Sequence, residues 1–205
     1  MPFMFIDQCK LSLQAECNVQ GVLVSDPRDG VPSFGLVEKG RTESMEAAEN
    51  LEVNLTADTV TAEELTKKLV IVSSDFKRAI ETAQIMHSHF KPKTPIKTDV
   101  ALRERDFGEF NRAPWKEALP IILENDRVNP TERVRGCEPV PEMVVRVMRA
   151  LKTIEEEYTD KIVVIISHSN PLQVLWALCN GVSSTERFKD LKHFKNCEVR
   201  EFKFV

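Results

Sequence analysis

Two stretches of the chain are apolar at every position rather than at every second or third. Residues 162–166 read IVVII and residues 69–72 read LVIV. Unbroken β-branched runs of this kind fit strands buried on both faces, as in a parallel sheet sandwiched between helices. A third run, GVLVS at 21–25, predicts the first firm strand, and a short strand is expected over 96–100. The alternation of EVREFKFV at 198–205 predicts a last, half-exposed strand. The opening twenty residues alternate only weakly, so MFI and KLSLQAEC are expected as short edge strands.

Between these runs the period changes to that of a helix. Phe76, Ala79, Ile80, Ala83, Met86 and Phe90 recur at helical spacing. Val144, Val147, Met148, Leu151, Ile154 and Tyr158 do the same, predicting an amphipathic helix over 143–158. Further helices are expected over 41–51, 62–68 and 113–124, the last interrupted by Pro120. A final helix should open at Pro171, carry Leu172, Leu175, Trp176 and Cys179 inward, and stop near Gly181. Residues 26–35, 53–61, 125–141 and 183–196 are expected as loops, with one short helix in the last. Strand and helix alternate throughout, so the fold class is α/β, a three-layer α/β/α arrangement with a mostly parallel sheet. Residues 1–205 form a single domain with a helical insertion at about 113–141, a segment of the kind that closes over a site as a lid.

Composition narrows the function classes without choosing among them. A net charge of −4 with scattered Lys and Arg argues against a nucleic-acid surface. The five Cys are spread without a CxxC pair, so neither a metal site nor a disulfide framework is expected, and no cofactor is called for. No run is long enough to cross a membrane and no leader is evident. The expectation is a soluble cytoplasmic protein with no membrane partner.

Three residues lie just beyond strands, where open α/β sheets bind ligands. His168 follows the 162–166 run directly and precedes a helix start. Arg78 falls in the first turn of the helix after LVIV, where a cation opposes the helix dipole but suits an anion ligand beside free N–H groups. Glu104 lies in the loop after the 96–100 strand. An Arg grips phosphate as a fork, a Glu can deliver a proton, and a His can donate to a phosphoryl oxygen.

The motifs around these residues carry a resemblance. VIVSSDFKRAIETAQIM is similar to the segment "SSDL.RA..TA..I" of the histidine phosphatase superfamily, the phosphoglycerate mutase-like fold. GLVEKGRTESMEAAENL, LRERDFGEFN, VVIISHSNPLQVL and KNCEVREFKF resemble further family segments in the same order, from about Val22 to Phe204. The resemblance implies that Arg78 binds phosphate, Glu104 donates the proton, and His168 is the second His at the transferred phosphoryl group. The family's first strand ends in Arg-His-Gly, whose His is the nucleophile. Aligned on VLVSDPRDG, Ser25 stands for that Arg and Asp26 for that His. The first His anywhere in the chain is His87, so no register restores the nucleophile. A carboxylate there would repel a bound phosphate, by about 4 kcal/mol at ~4 Å and an effective dielectric near 20. Asp26 is therefore expected to pair with Arg78 and fill the anion site from within.

The catalytic positions expected are thus His168, Glu104 and Asp26, with Arg78, Ser25 and His168 as the phosphate site and no metal. The leading functional reading is a catalytically impaired member that binds a small phosphorylated ligand or a protein partner. A second reading is an active phosphohydrolase using a water or Asp26 as nucleophile. A third takes the N-terminal 35 residues as an incorrect gene model of an active enzyme.

Overall fold

Five strands make the spine: β1 (Pro2–Asp7), β2 (Leu69–Ser73), β3 (Lys97–Thr98), β4 (Ile162–Ser167) and β5 (Val199–Lys203). The computed structural model describes residues 2–7, 15–57, 61–179, 181 and 199–203. The strands lie in the order β3-β2-β4-β1-β5. β1, β2, β3 and β4 run parallel, and β5 joins β1 antiparallel at one edge.

The unbroken apolar runs are explained by burial on both sides. Every residue of β2 and β4 is buried. Successive side chains point to opposite faces. Val70, Val72, Val163 and Ile165 therefore meet one helical layer, formed by α7 (Val140–Glu157) and α8 (Ser169–Cys179). Leu69, Ile71, Ile162, Val164 and Ile166 meet the other, formed by α3 (Glu38–Ala57), α4 (Ala62–Lys68) and α5 (Lys77–Phe90). At roughly 1.5–3 kcal/mol per fully buried aliphatic side chain, these two faces dominate the stability of the fold. The three-layer α/β/α architecture expected from the sequence is the one observed.

The strand at 21–25 is not. Val22 makes a single bridge to Pro114, and Leu23 exchanges main-chain bonds with Ala113 and Arg112. The apolar run is an irregular crossing segment, turned in by Gly21 at φ 72° and turned out at Pro27. The place beside β4 is taken by Pro2–Asp7, with Asp7 level with Ser167. The opening residues thus contribute an inner strand, flanked by β4 and β5, rather than an edge. A run of four apolar residues cannot show which strand it will pair with, and here two short runs competed for one slot.

Smaller departures have local causes. α3 continues to Ala57, because Glu, Leu and Ala sustain a solvated helix. The helix after β2 is capped not by Ser73, Ser74 or Asp75 but by the backbone of Phe76, while Ser74 Oγ accepts the Phe76 N–H. α8 begins at Ser169, two residues before Pro171, and Gly181 lies beyond its end at φ 69°. On α7 Met148 faces solvent, and Met143 and Ala150 take the inward places. The helix expected within 183–196 lies outside the described residues.

The segment expected as an insertion holds α6 (Trp115–Val128), with Pro120 inside it, and a short 3-10 turn at Val134–Gly136. It is firmly seated. Ala118, Ile122 and Cys137 pack with Phe107 and Phe110. Gly108, at φ 54°, lies so close to the 135–137 backbone that a Cβ would stand 2.4 Å from the Arg135 carbonyl oxygen.

Candidate functional site

The C-terminal ends of β2 and β4 bring two of the predicted residues, Arg78 and His168, to one end of the sheet. Ser74 N–H donates to Ile166 O, tying the exits of the two strands together. His168 follows β4 and is completely buried. Its Nε2 lies 2.9 Å from Ser74 Oγ, and its ring stands edge-on to Phe76 at 5.3 Å. The same Phe76 ring carries the guanidinium of Arg78 5.1 Å from its centroid and that of Arg103 at 5.7 Å. Arg78 is itself fully buried and donates from Nη2 to Val24 O at 3.1 Å. Burial pushes the His168 imidazole well below its ordinary pKa, and the charges of Arg78 and Arg146 add to this. His168 is thus a neutral ring, and its Nδ1 has no hydrogen-bond partner among the described residues.

Glu104 reaches the same corner from another direction. Its Oε1 accepts from its neighbour Arg105 N–H at 2.9 Å, and from the Asn170 N–H and Nδ2 at 3.3 and 3.2 Å. Asn170 lies in the first turn of α8, two residues after His168. Glu104 is therefore a buried carboxylate moored to a helix N-terminus, where negative charge is favoured.

The loop bearing Glu104 is held by a buried ionic network. Arg146 of α7 donates to the carbonyls of Ala101, Arg103 and Glu104, and forms a forked pair with Glu138 at 2.7 and 2.9 Å. Arg105 forks onto Asp126 of α6 at 2.6 and 2.7 Å and donates to Glu138 O. Burial alone would pull the Arg105 pKa down, but Asp126, Cys137 and Glu138 hold it above its usual value. The Cys137 thiol beside it is pushed up to about 11 by burial. Asp75, in the turn after β2, fixes Arg103 through two bonds of 2.7 and 2.6 Å.

Ser25 and Asp26 take different positions from those expected. Ser25 Oγ accepts the Phe107 N–H at 2.8 Å, pinning the crossing segment to the loop after Glu104. The Asp26 carboxylate caps α2 (Pro27–Gly30) by accepting from Arg28 N and grips the Arg28 side chain, with Nε at 3.0 Å from both oxygens. These bonds hold the Asp26 carboxyl down at about 2. The expected pairing of Asp26 with Arg78 is not present: Arg28, two residues away, takes the carboxylate, and the Val24 carbonyl takes the Arg78 Nη2. Arg133 of the insertion pairs with Glu142, and Arg112, just ahead of it, pairs with Asp29, so both arginines are engaged at the surface.

Three residues that position the others were not singled out in the sequence. Asn111 Oδ1 accepts from Ser25 N and Asp26 N while its Nδ2 donates to Asp29. Phe76 supplies the ring on which Arg78, Arg103 and His168 converge. Gly30 of α2 rests on that ring so closely that a Cβ would meet it at 2.8 Å. Only Phe76 had a signal, its place in the SSDFKRA motif; the other two depend on contacts across the chain. Among the described residues no group of His, Cys, Asp and Glu is arranged to hold a metal ion, and no helix is long and apolar enough to cross a membrane.

The family model described as histidine phosphatase superfamily (branch 1) matches residues 16–205, a span that begins beyond β1. Phosphoglycerate mutase-like protein 4 of Arabidopsis thaliana is 31% identical over 123 residues, covering 56% of this chain and 53% of that protein. The chain spans about half the length of the curated relatives it matches. Among solved structures, Bacillus stearothermophilus YhfR superposes with a TM-score of 0.74 at 20% identity, over 98% of this chain and 89% of that one. A mycobacterial glucosyl-3-phosphoglycerate phosphatase in complex with VO3 superposes with a TM-score of 0.70 at 20% identity, over 98% and 89% of the two chains. These superpositions concern the fold.

Proposed function

The chain belongs to the histidine phosphatase superfamily, and on that footing we propose that residues 1–205 act as one phosphoglycerate mutase-like domain that binds a phosphorylated ligand without forming a phosphohistidine. One observation carries the reading. Arg78 and His168 are kept buried against the same aromatic ring, yet no His precedes His87 in the chain. The family's first strand ends in Arg-His-Gly, and the resemblance gives the place of that His to Asp26. Without the imidazole the route through a phosphohistidine closes.

Glu104 is moored through one oxygen: Oε1 is engaged by three N–H donors, an arrangement suited to holding a loop in place. In this reading Arg78 is the cationic ligand of the phosphate and His168 its neutral neighbour. The occupant is a small phosphate ester or a phosphorylated segment of a protein.

The test is calorimetric and chemical. Inorganic phosphate and vanadate should bind, and Arg78→Met should weaken them at least tenfold, since a charged hydrogen bond contributes roughly 1.5–3 kcal/mol. Incubation with a generic aryl phosphate followed by denaturing quench should leave no label on the protein. An acid-labile phosphohistidine on any of the four His would sink the proposal.

A further inference from the structure

The hydroxyl of Ser74 decides which nitrogen of His168 carries the ring proton. A serine hydroxyl has one proton and two lone pairs. One Ser74 lone pair receives the Phe76 N–H at 3.3 Å. Its proton needs an acceptor, because Ser74 is fully buried and water cannot supply one. Among the described residues the remaining polar atom bonded to Ser74 Oγ is His168 Nε2, at 2.9 Å. Were Nε2 to donate instead, the buried hydroxyl proton would have nowhere to go.

From this we infer that Ser74 is a positioning residue, donating to His168 Nε2 and so holding the ring as its Nδ1–H tautomer, with that N–H presented to a tetrahedral oxyanion. The ring is neutral, so a proton barred from Nε2 resides on Nδ1. Nδ1 is buried and has no partner among the described residues, so its N–H is a donor awaiting an acceptor. A phosphate monoester dianion offers three acceptor oxygens and no donor, and inorganic phosphate can turn the same kind of oxygen to the N–H. The opposite tautomer would turn a lone pair toward that oxygen and repel it. Ser74 itself is held in place from both sides. Its N–H is fixed on Ile166 O, and its carbonyl accepts the hydroxyl of Ser73 at 2.8 Å. The inference rests on the reading of Arg78 and His168 as an anion site, but it makes a claim about the free protein that can fail separately.

The experiment is long-range ¹H–¹⁵N correlation on histidine-labelled protein near neutral pH, with His168→Gln identifying the signals of His168 among the four histidines. The expected pattern is a pyrrole-type Nδ1 and a pyridine-type Nε2. Ser74→Ala should shift the Nε2 resonance, lower the Nδ1–H population, and weaken inorganic phosphate about tenfold. His87 and His89 should stay unchanged. A pyridine-type Nδ1 in the unmodified protein overturns the inference whether or not Ser74→Ala folds. Equally, Ser74→Ala that folds and leaves the His168 pattern unaltered overturns it. If the tautomer is as stated but phosphate does not bind at all, the anion-site reading fails and the tautomer assignment stands.

Discussion

Replacing Asp126 with alanine removes both acceptors of the Arg105 guanidinium in one step. Arg105 has a side-chain exposure of 3% and Asp126 of 11%, so the pair is shielded from water. The lone cation left behind retains one bond, to the Glu138 carbonyl at 2.6 Å. Breaking a buried pair from one side costs about 3–5 kcal/mol, because the surviving charge is desolvated and uncompensated. With a denaturant slope near ~2.5 kcal/mol/M in urea, that lowers the unfolding midpoint by about 1.5 M. In a thermal scan the fall is about 10 °C for a chain of this size. The assay is urea unfolding of Asp126→Ala, Arg105→Met and the double variant. Each single change should destabilise strongly, and the double less than their sum, with a coupling of about 2 kcal/mol or more. A loss below about 1 kcal/mol in Asp126→Ala would refute the reasoning, since that is the range of a solvated surface pair. Part of the loss should appear at the site, because this network holds the loop that ends in Glu104.

Three other outcomes follow from the same structure. His168 is buried and neutral with a depressed pKa, so the unfolded chain binds its proton more readily. Its contribution to stability is intact above about pH 6.5 and is lost as pH falls below that, by about 1.4 kcal/mol per pH unit toward the folded value; His168→Gln should flatten this dependence in urea titrations at pH 7.5 and 5.5, and an unchanged slope would contradict it. Gly108→Ala should cost at least about 2 kcal/mol, combining a left-handed backbone with a Cβ 2.4 Å from the Arg135 carbonyl; a neutral result in thermal unfolding would mean the 135–137 turn gives way freely. Gly30→Ala, whose Cβ would meet the buried Phe76 ring at 2.8 Å, should lower the unfolding midpoint through overpacking and weaken inorganic phosphate through displaced Arg78 and His168; equal phosphate affinity in both proteins would show that Phe76 does not position them.

The layers were legible because double-sided burial leaves a direct trace. LVIV and IVVII contain no polar position, and both became inner strands covered on each face. Arg78, Glu104 and His168 were legible for a related reason: each follows a predicted strand, and the parallel sheet delivers such positions to one end. Strand identity at the N-terminus was not. GVLVS and PFMFID are similar runs, and the choice between them lies in the ladder beside β4, a contact 160 residues away in sequence. The expected partner of Asp26 was wrong for a local reason. Its local sequence, Asp-Pro-Arg-Asp-Gly, already described a capped helical turn with an Arg two residues on, and that chemistry prevailed. Ser74 is one of two adjacent serines in the SSDFKRA motif, and only the position of His168 across the sheet distinguishes it.

The pairing of β1 sets an order on how the molecule is made. Phe3 lies between Val163 and Phe202, so β1 has neither neighbour until about 160 further residues have been synthesised. β2, β3 and the helices around α5 can assemble well before that. An apolar segment therefore waits through the synthesis of those residues with its edges bare, the condition under which nascent chains associate wrongly or recruit chaperones. Changes that slow synthesis ahead of residue 162 should lower the soluble yield without altering the stability of the protein once folded.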